Sequence, residues 1–290
     1  MSETSLVSHN DSHEMLQQCE ALMREKVSHN AAALFHLTSG GSRTRAKLCI
    51  DAGKALRLSP QSFIATAGAI ELLHNASLIH DDLQDGDENR RGNHSVWKKF
   101  GKGHAICAGD LMISAAYSLL AEVDANGHHV SLFSTMHQAI ADTVEGQHLD
   151  IGAQNTLSEN DYEKIAALKS GPLIQLTLSL PLLLAGYEKY IDSANTALAQ
   201  FAVAYQILDD LDDWQQDSLR GHLNIVNLVT SKSSRSKAIF AVHSRSQYLL
   251  EECHKTLALM PRQCAASMIE TAMMMHQKAD DMLVNKFKEK

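Results

Sequence analysis

The chain has 290 residues, 44% of them hydrophobic and 21% charged, with a formal net charge of −8. That length can bury a substantial core, and the composition is that of a globular protein rather than a disordered or fibrous one. The acidic balance speaks against a nucleic-acid-binding surface. Only 4 prolines and 5% aromatic residues, in a chain rich in Ala, Leu and Met, predict an all-α fold, a single-domain bundle over residues 1–290. Cys19, Cys49, Cys107, Cys253 and Cys264 are odd in number and form no CxxC pair, which suits reduced thiols in a cytoplasmic protein. The 16 histidines are scattered and match no HExxH spacing.

In chain order, MSETSLVSHNDSHE is polar and unlike a signal peptide, and residues 1–12 are expected to be flexible. From about Glu14 to Leu37, Met15, Leu16, Cys19, Leu22, Met23 and Val27 recur at helical spacing. HLTSGGSRTRAK then breaks the pattern at Gly40 and Gly41, where the backbone can turn and bring arginines to a ligand. A second helix runs to Ser59–Pro60, and QSFIATAGAIELLHNASLIHDDL forms a long third one. DGDENRRGNHSVWKKFG reads as a polar loop, and AICAGDLMISAAYSLLAEV and SLFSTMHQAIADTVEGQHLDIGAQ read as helices. Ser158 or Asn160 is placed to cap the next helix, which Gly171–Pro172 should kink or break. The apolar run at 173–186 is short of a membrane span and carries Gln175, Thr177, Ser179 and Pro181, so no transmembrane segment is expected. TALAQFAVAYQILDDLDDW is a further helix, DSLRGHLNIVNLVTSKSSRS a loop, and two or three helices complete the chain.

Two acidic clusters stand out. LIHDDLQDGDENRRG (78–92) holds Asp81, Asp82 and Asp85 at the end of an apolar helix, followed by Arg90 and Arg91. YQILDDLDDWQQD repeats the spacing with Asp209, Asp210 and Asp213. On a helix, residues i and i+4 share a face, so like charges at that spacing repel. A solvated acidic face is the ordinary explanation for one such run. Two runs, each ending an apolar segment, point instead to a hard cation with oxygen ligands, shared with substrate phosphates.

These motifs together resemble the trans-isoprenyl diphosphate synthases. The resemblance rests on GGSRTR (40–45), ELLH (71–74), DDLQD (81–85), RRG (90–92), AGD (108–110), EGQHLD (145–150), LKSG (168–171) and YQILDDLDD (205–213), in that order. It implies the isoprenoid synthase fold, a homodimer, and magnesium, three ions with substrate bound. The implied reaction joins an allylic diphosphate to isopentenyl diphosphate after the allylic partner ionises. Asp81, Asp85 and Asp209 would be the primary metal ligands, with Asp82, Asp210 and Asp213 acting directly or through water. Arg90 and Lys169 would grip the allylic diphosphate, and Arg43, His74 and Arg91 would receive isopentenyl diphosphate, with Arg43 favoured over Arg45. Ser170 and Gln206 would sit near the developing cation. For Glu145, Gln147 and Asp150 the resemblance leaves open a part in the metal-bound water shell or the pinning of two helices.

The chain departs from the family at several places. Ser42 and Ala46 stand where GGKRxRP has lysine and proline. Without that cation, isopentenyl diphosphate binding weakens by about 1.5–3 kcal/mol unless Arg45 or Lys47 substitutes. Ser170 replaces a threonine, and SLRGHLNIVNL replaces a lysine-bearing loop, making Arg220 the expected stand-in. Such changes admit two alternatives, a cyclase-like relative that ionises one diphosphate, or a non-catalytic regulatory subunit. Retention of Arg43, His74 and Arg91 argues against the first, and both intact aspartate clusters against the second. Each turn of helix, about 5.4 Å, spans roughly one isoprene unit. Small Ser77 and Ala76 just before Asp81, with Leu73 and Ile70 deeper, therefore predict a product of twenty carbons or more, unless Tyr117 or Phe133 closes the path.

Overall fold

The computed structural model describes residues 3–125, 127–153, 157–220, 222–230 and 234–288. It is all-α apart from one small hairpin, and the chain groups into two compact units, residues 1–135 with 180–186, and residues 136–179 with 187–290.

The first unit contains α1 (Glu3–Lys26), α2 (Ala31–Thr38), α3 (Thr44–Leu56) and α4 (Pro60–Asp85). These are followed by β1 (Asn89–Arg90), β2 (Asn93–His94), α5 (Val96–Phe100) and α6 (Lys102–Ala121). The helical backbone starts at Glu3, ahead of the start near Glu14 that periodicity suggests. The helix expected to reach Leu37 stops at Lys26, and Asn30 opens a new one by accepting the Ala33 N–H at 2.9 Å. α4 is set by the Ser59 cap, which accepts the Ser62 N–H at 3.1 Å, by Pro60 in its first turn, and by Gly86 in the left-handed region at its end. Met23, Ile70, Leu72, Ile79, Met112, Leu119 and Leu120 are fully buried around it, where α4 packs on α3 and α6.

The polar loop after α4 is in fact a hairpin. Asn89 pairs with His94 and Arg90 with Asn93, leaving Arg91 (φ 54) and Gly92 (φ 78) as a two-residue turn. Positive φ at both positions is the type I′ geometry that matches strand twist. α4 and α6 are each long and apolar enough to cross a membrane, although most of α4 is buried inside the protein.

Helix α7 (His129–Ile151) begins in the first unit and runs on in the second, and α9 (Pro172–Leu184) is likewise divided between them. The second unit also holds α8 (Glu159–Ser170), α10 (Ile191–Arg220), α11 (Ile225–Thr230), α12 (Arg235–Leu257) and α13 (Ala266–Lys288). Ser158 is the cap of α8, in a reciprocal box with Asp161. The chain bends by 55° between α8 and α9, at Gly171–Pro172. The stretch expected to be a loop after the second acidic cluster is helical through Arg220, and α11 follows it. Buried Leu198, Phe201, Ala204, Ile207, Leu250, Cys253 and Met268 form the core, in which α10 packs mainly on α12.

Candidate active site

In the first unit, His74, Ser77 and Asp81 are half-buried and Asp85 is exposed, and their spacing puts all four on one face of α4. Asp82 is not on that face. It is 1% exposed, and Arg90 donates to its Oδ1 from Nε at 2.7 Å and also from Nη2. Burial pushes the Asp82 carboxyl above the usual range, while Arg90 pulls it back. Asp82, expected to serve the metal directly or through water, anchors Arg90 and the hairpin. Arg90 also lies 3.8 Å from Asp81 Oδ2.

Arg91 donates to the carbonyl of Gly40. A Cβ at Gly41, whose φ is 140°, would fall 2.6 Å from Arg91 Nη1, so the second glycine leaves room for the guanidinium. Arg43, expected as a substrate ligand, is instead built into the interior. It is 4% exposed, donates to Glu20 Oε1 at 2.9 Å and Leu37 O at 3.2 Å, and lies 3.6 Å from Glu71. Glu71, 2% exposed, also accepts the Ala46 N–H. Two carboxylates on other helices thus turn Arg43 inward to join α1, α3 and α4. Burial holds the His74 imidazole well below its usual range, and Arg45 is the strongest of the charges acting with it, ahead of Arg91, His36 and Arg90.

His36, which pattern reading does not distinguish from a core position in AAALFHL, belongs to the same group. It is 3% exposed and pushed down to about 3, by burial first and then by Arg91 and Arg90. Arg90 and Arg91 act on both imidazoles and Arg45 on His74, a group of charges suited to a multiply charged anion.

In the second unit, Gln206, Asp209, Asp210 and Asp213 lie on α10. Asp209 and Asp213 are exposed one turn apart. Desolvation and the neighbouring Asp213 charge push Asp209 up. Asp210 is turned away and 3% exposed. It accepts the Ile225 N–H at 2.8 Å and Gln206 Nε2 at 3.1 Å, with buried Tyr162 beside it. Burial raises its carboxyl to about 7. Like Asp82, it spends its carboxylate on anchoring contacts. Asn224, 0% exposed, completes this corner by donating to Asp210 O at 3.0 Å and Asp217 Oδ2 at 2.8 Å, and by accepting the Val226 N–H at 2.9 Å. Its position just before the apolar IVNLV is an N-cap signature that sequence reading missed. The side chain of Arg220, the expected stand-in for the family's lysine, lies outside the described residues.

Lys169, half-buried near the end of α8, bonds Asp150 Oδ2 of α7 at 2.6 Å. The two helices touch at Gly146, where a Cβ would fall 2.3 Å from the Lys169 backbone nitrogen. Asp150 thus orients Lys169, a role the sequence leaves undecided. Ser170 and Gln206 are both half-buried. Among the described residues, no three His, Cys, Asp or Glu side chains are grouped so as to hold a metal by themselves. Asp81 and Asp85 on α4, and Asp209 and Asp213 on α10, each share a helix face one turn apart, a donor set that fits a hard cation completed by water and phosphate oxygens.

The polyprenyl synthetase family model matches residues 27–224. A geranylgeranyl pyrophosphate synthase of Geoglobus acetivorans is 29% identical over 83% of this chain and 81% of its own length. A (2E,6E)-farnesyl diphosphate synthase of Mycobacterium tuberculosis is 32% identical over 59% of this chain, but the match spans only 48% of that relative. The structure of a geranylgeranyl pyrophosphate synthetase from Pyrococcus horikoshii superposes with a TM-score of 0.82 at 20% identity, covering 94% of this chain and 99% of the other. A polyprenyl synthase from Caulobacter crescentus, solved with calcium and isoprenyl diphosphate, gives 0.79 at 18% identity, covering 91% and 95%. The motifs, the all-α fold and the family match together establish that this chain belongs to the polyprenyl synthetase family.

Proposed function

We propose that this protein is a magnesium-dependent prenyltransferase that joins an allylic isoprenyl diphosphate head-to-tail, in trans, to isopentenyl diphosphate. The observation that carries the reading is the same arrangement in both acidic clusters, with the middle acid tied inward and the other two, Asp81 and Asp85 on α4 and Asp209 and Asp213 on α10, one turn apart on a shared helix face. Asp81 and Asp85 of the first unit, and Asp209 and Asp213 of the second, are the residues that would hold magnesium, with three ions expected when substrate is bound. When bound, magnesium neutralises the diphosphate that leaves the allylic carbon. Arg90 and Lys169 hold diphosphate oxygens of the allylic substrate. Each is pre-oriented by a carboxylate, and Arg90 keeps donors beyond the two spent on Asp82. Gln206 spends its amide nitrogen on Asp210, so its carbonyl oxygen is the end available to a developing carbocation. Ser170 offers a second dipole nearby.

Arg45, Arg91 and His74 receive isopentenyl diphosphate, with Arg45 taking the place the sequence assigned to Arg43. The isopentenyl alkene attacks the allylic cation, a carbon–carbon bond forms, and the proton lost passes to the released diphosphate. A single-diphosphate enzyme has no use for this second basic group.

The product has twenty carbons or more, because Ser77, on the Asp81 face, is small. Ala76 is 1% exposed and turned into the core. The chain acts as one isoprenoid synthase domain and as a homodimer in the cytoplasm, an assembly that light scattering of purified protein would measure. The deciding experiment incubates the protein with magnesium and allylic starters of five to twenty carbons, with and without isopentenyl diphosphate. Elongated products that need both magnesium and isopentenyl diphosphate support the reading. Diphosphate release from the allylic substrate alone, without elongation, or no reaction at all, overturns it.

A further inference from the structure

The Ala108–Gly109–Asp110 motif has no part in this assignment, yet it meets α4 at His80, the residue before Asp81. α4 packs on α6 here, and Gly109 is buried at the contact. A Cβ on Gly109 would fall 2.2 Å from His80 Nε2 and 2.7 Å from both Cδ2 and Cε1. The half-buried imidazole therefore lies in a notch that glycine leaves and any larger residue would fill. Asp110 borders the same notch, with Oδ1 3.7 Å from His80 Nε2. On the other side of Asp81, Asp82 is tied to the hairpin by two bonds from Arg90. Successive helical residues turn by about 100°, so His80 and Asp82 point about 200° apart, with Asp81 between them. A helix gripped on one flank alone can roll about that contact, whereas grips on both flanks fix its rotation. The side chain between them is then held in one direction.

We propose that His80 is a positioning residue for Asp81: seated against Gly109, it fixes the rotation of the last turns of α4 and so the direction in which Asp81 is presented to magnesium. In this role it touches neither metal nor substrate, and acts through the helix it shares with Asp81. The inference rests on the reading of Asp81 as a magnesium ligand, and a control separates the two.

The test is the apparent Kd for magnesium, titrated by calorimetry in the presence of inorganic pyrophosphate, so that no turnover is involved. Gly109→Ala puts a methyl where the ring lies. The atoms it meets are the far end of a side chain, so the ring swings out and the unliganded Tm should stay close to wild type. The apparent Kd should rise about tenfold or more, as it does when a group that orients a metal ligand is lost, while KM for isopentenyl diphosphate should stay within about twofold. His80→Ala should give the same rise. In Gly109→Ala/His80→Ala the methyl meets no ring, so the double variant should bind no more weakly than His80→Ala, the non-additivity of two groups that act through one contact. If Gly109→Ala does not fold, His80→Ala carries the test by itself. Wild-type magnesium affinity in both single variants, with Asp81→Asn losing it, overturns the role of His80 alone. Losses that add in the double variant overturn it too, because they arise separately. If Asp81→Asn also keeps wild-type affinity, the assignment of Asp81 to the metal falls with it.

Discussion

Replacing Gly146 with alanine sets two effects of opposite sign against each other. Gly146 lies inside α7, where alanine is favoured over glycine by about 1 kcal/mol on helix propensity alone. The added methyl, however, would sit 2.3 Å from Lys169 N, 2.5 Å from the Leu168 carbonyl carbon and 2.7 Å from Lys169 Cα. All three are backbone atoms, which cannot swing aside as a side chain does. Relief requires α7 and α8 to move apart, and overpacking of this kind costs about 1–3 kcal/mol. With the propensity gain subtracted, Gly146→Ala should be less stable by up to about 2 kcal/mol. The same displacement separates Lys169 from Asp150, and a misplacement of about an ångström costs catalysis up to about a hundredfold. Urea denaturation would give the first quantity and kcat/KM for the allylic diphosphate the second. A variant as stable as wild type or more so, with unchanged kinetics, would refute the close approach of α7 and α8 and the importance given to Lys169.

Arg43→Ala should cost about 3 kcal/mol of stability, because it strands buried Glu71 without its cation. Arg45→Ala should leave the denaturation midpoint nearly unchanged while raising KM for isopentenyl diphosphate. In acid, His36 contributes a definite slope. Its folded value, about 3, lies below the ordinary 6.5, so the unfolded chain binds more protons between those limits and stability falls as pH drops through them. One such group removes about 2 kcal/mol between about pH 7.5 and pH 5, and His36→Leu should lose that part of the pH dependence in urea midpoints. Ser77→Phe should shorten the product by one or more isoprene units in mass spectrometry, whereas an unchanged product distribution would place the chain-length barrier on another helix.

The helix framework was legible because its punctuation is local. Ser59–Pro60, Ser158 and Gly171–Pro172 act through their own backbone neighbours, so their positions can be read without knowing the fold. Arg43 and Arg45 could not be sorted this way. They are two residues apart at the entry to α3, and what distinguishes them is Glu20 on α1 and Glu71 on α4. Gly146 is obscure for the same reason, since its constraint comes from Lys169, distant in sequence. His36 carries no periodic signal, as a lone histidine in an apolar helix looks like core. The hairpin was hidden because strands of two residues leave no alternation to detect, and only the Arg91–Gly92 pair hints at a turn.

The inward turn of Asp82 and Asp210 was available from the spacing. Successive residues on an α-helix are rotated by about 100°, so an acid directly after the first member of each cluster cannot share its face. The same offset produces the same division in both clusters. Asp82 fastens the hairpin through Arg90, and Asp210 fastens the start of α11 through the Ile225 N–H. These anchors need a hydrogen-bond acceptor, whereas metal binding at the first and last positions needs negative charge. Asparagine separates the two requirements, because it is neutral and still accepts through Oδ1, the oxygen that takes both Arg90 bonds at Asp82 and one of the two bonds at Asp210. Burial pushes the Asp210 carboxyl up, so Asp210→Asn removes a charge the site already disfavours. Asp210→Asn should therefore retain activity within about tenfold of wild type, while Asp209→Asn should lose about a hundredfold or more together with its magnesium response. Equal losses for the two, measured at saturating magnesium and neutral pH, would place Asp210 among the ligands and remove the basis for treating the middle acids as anchors.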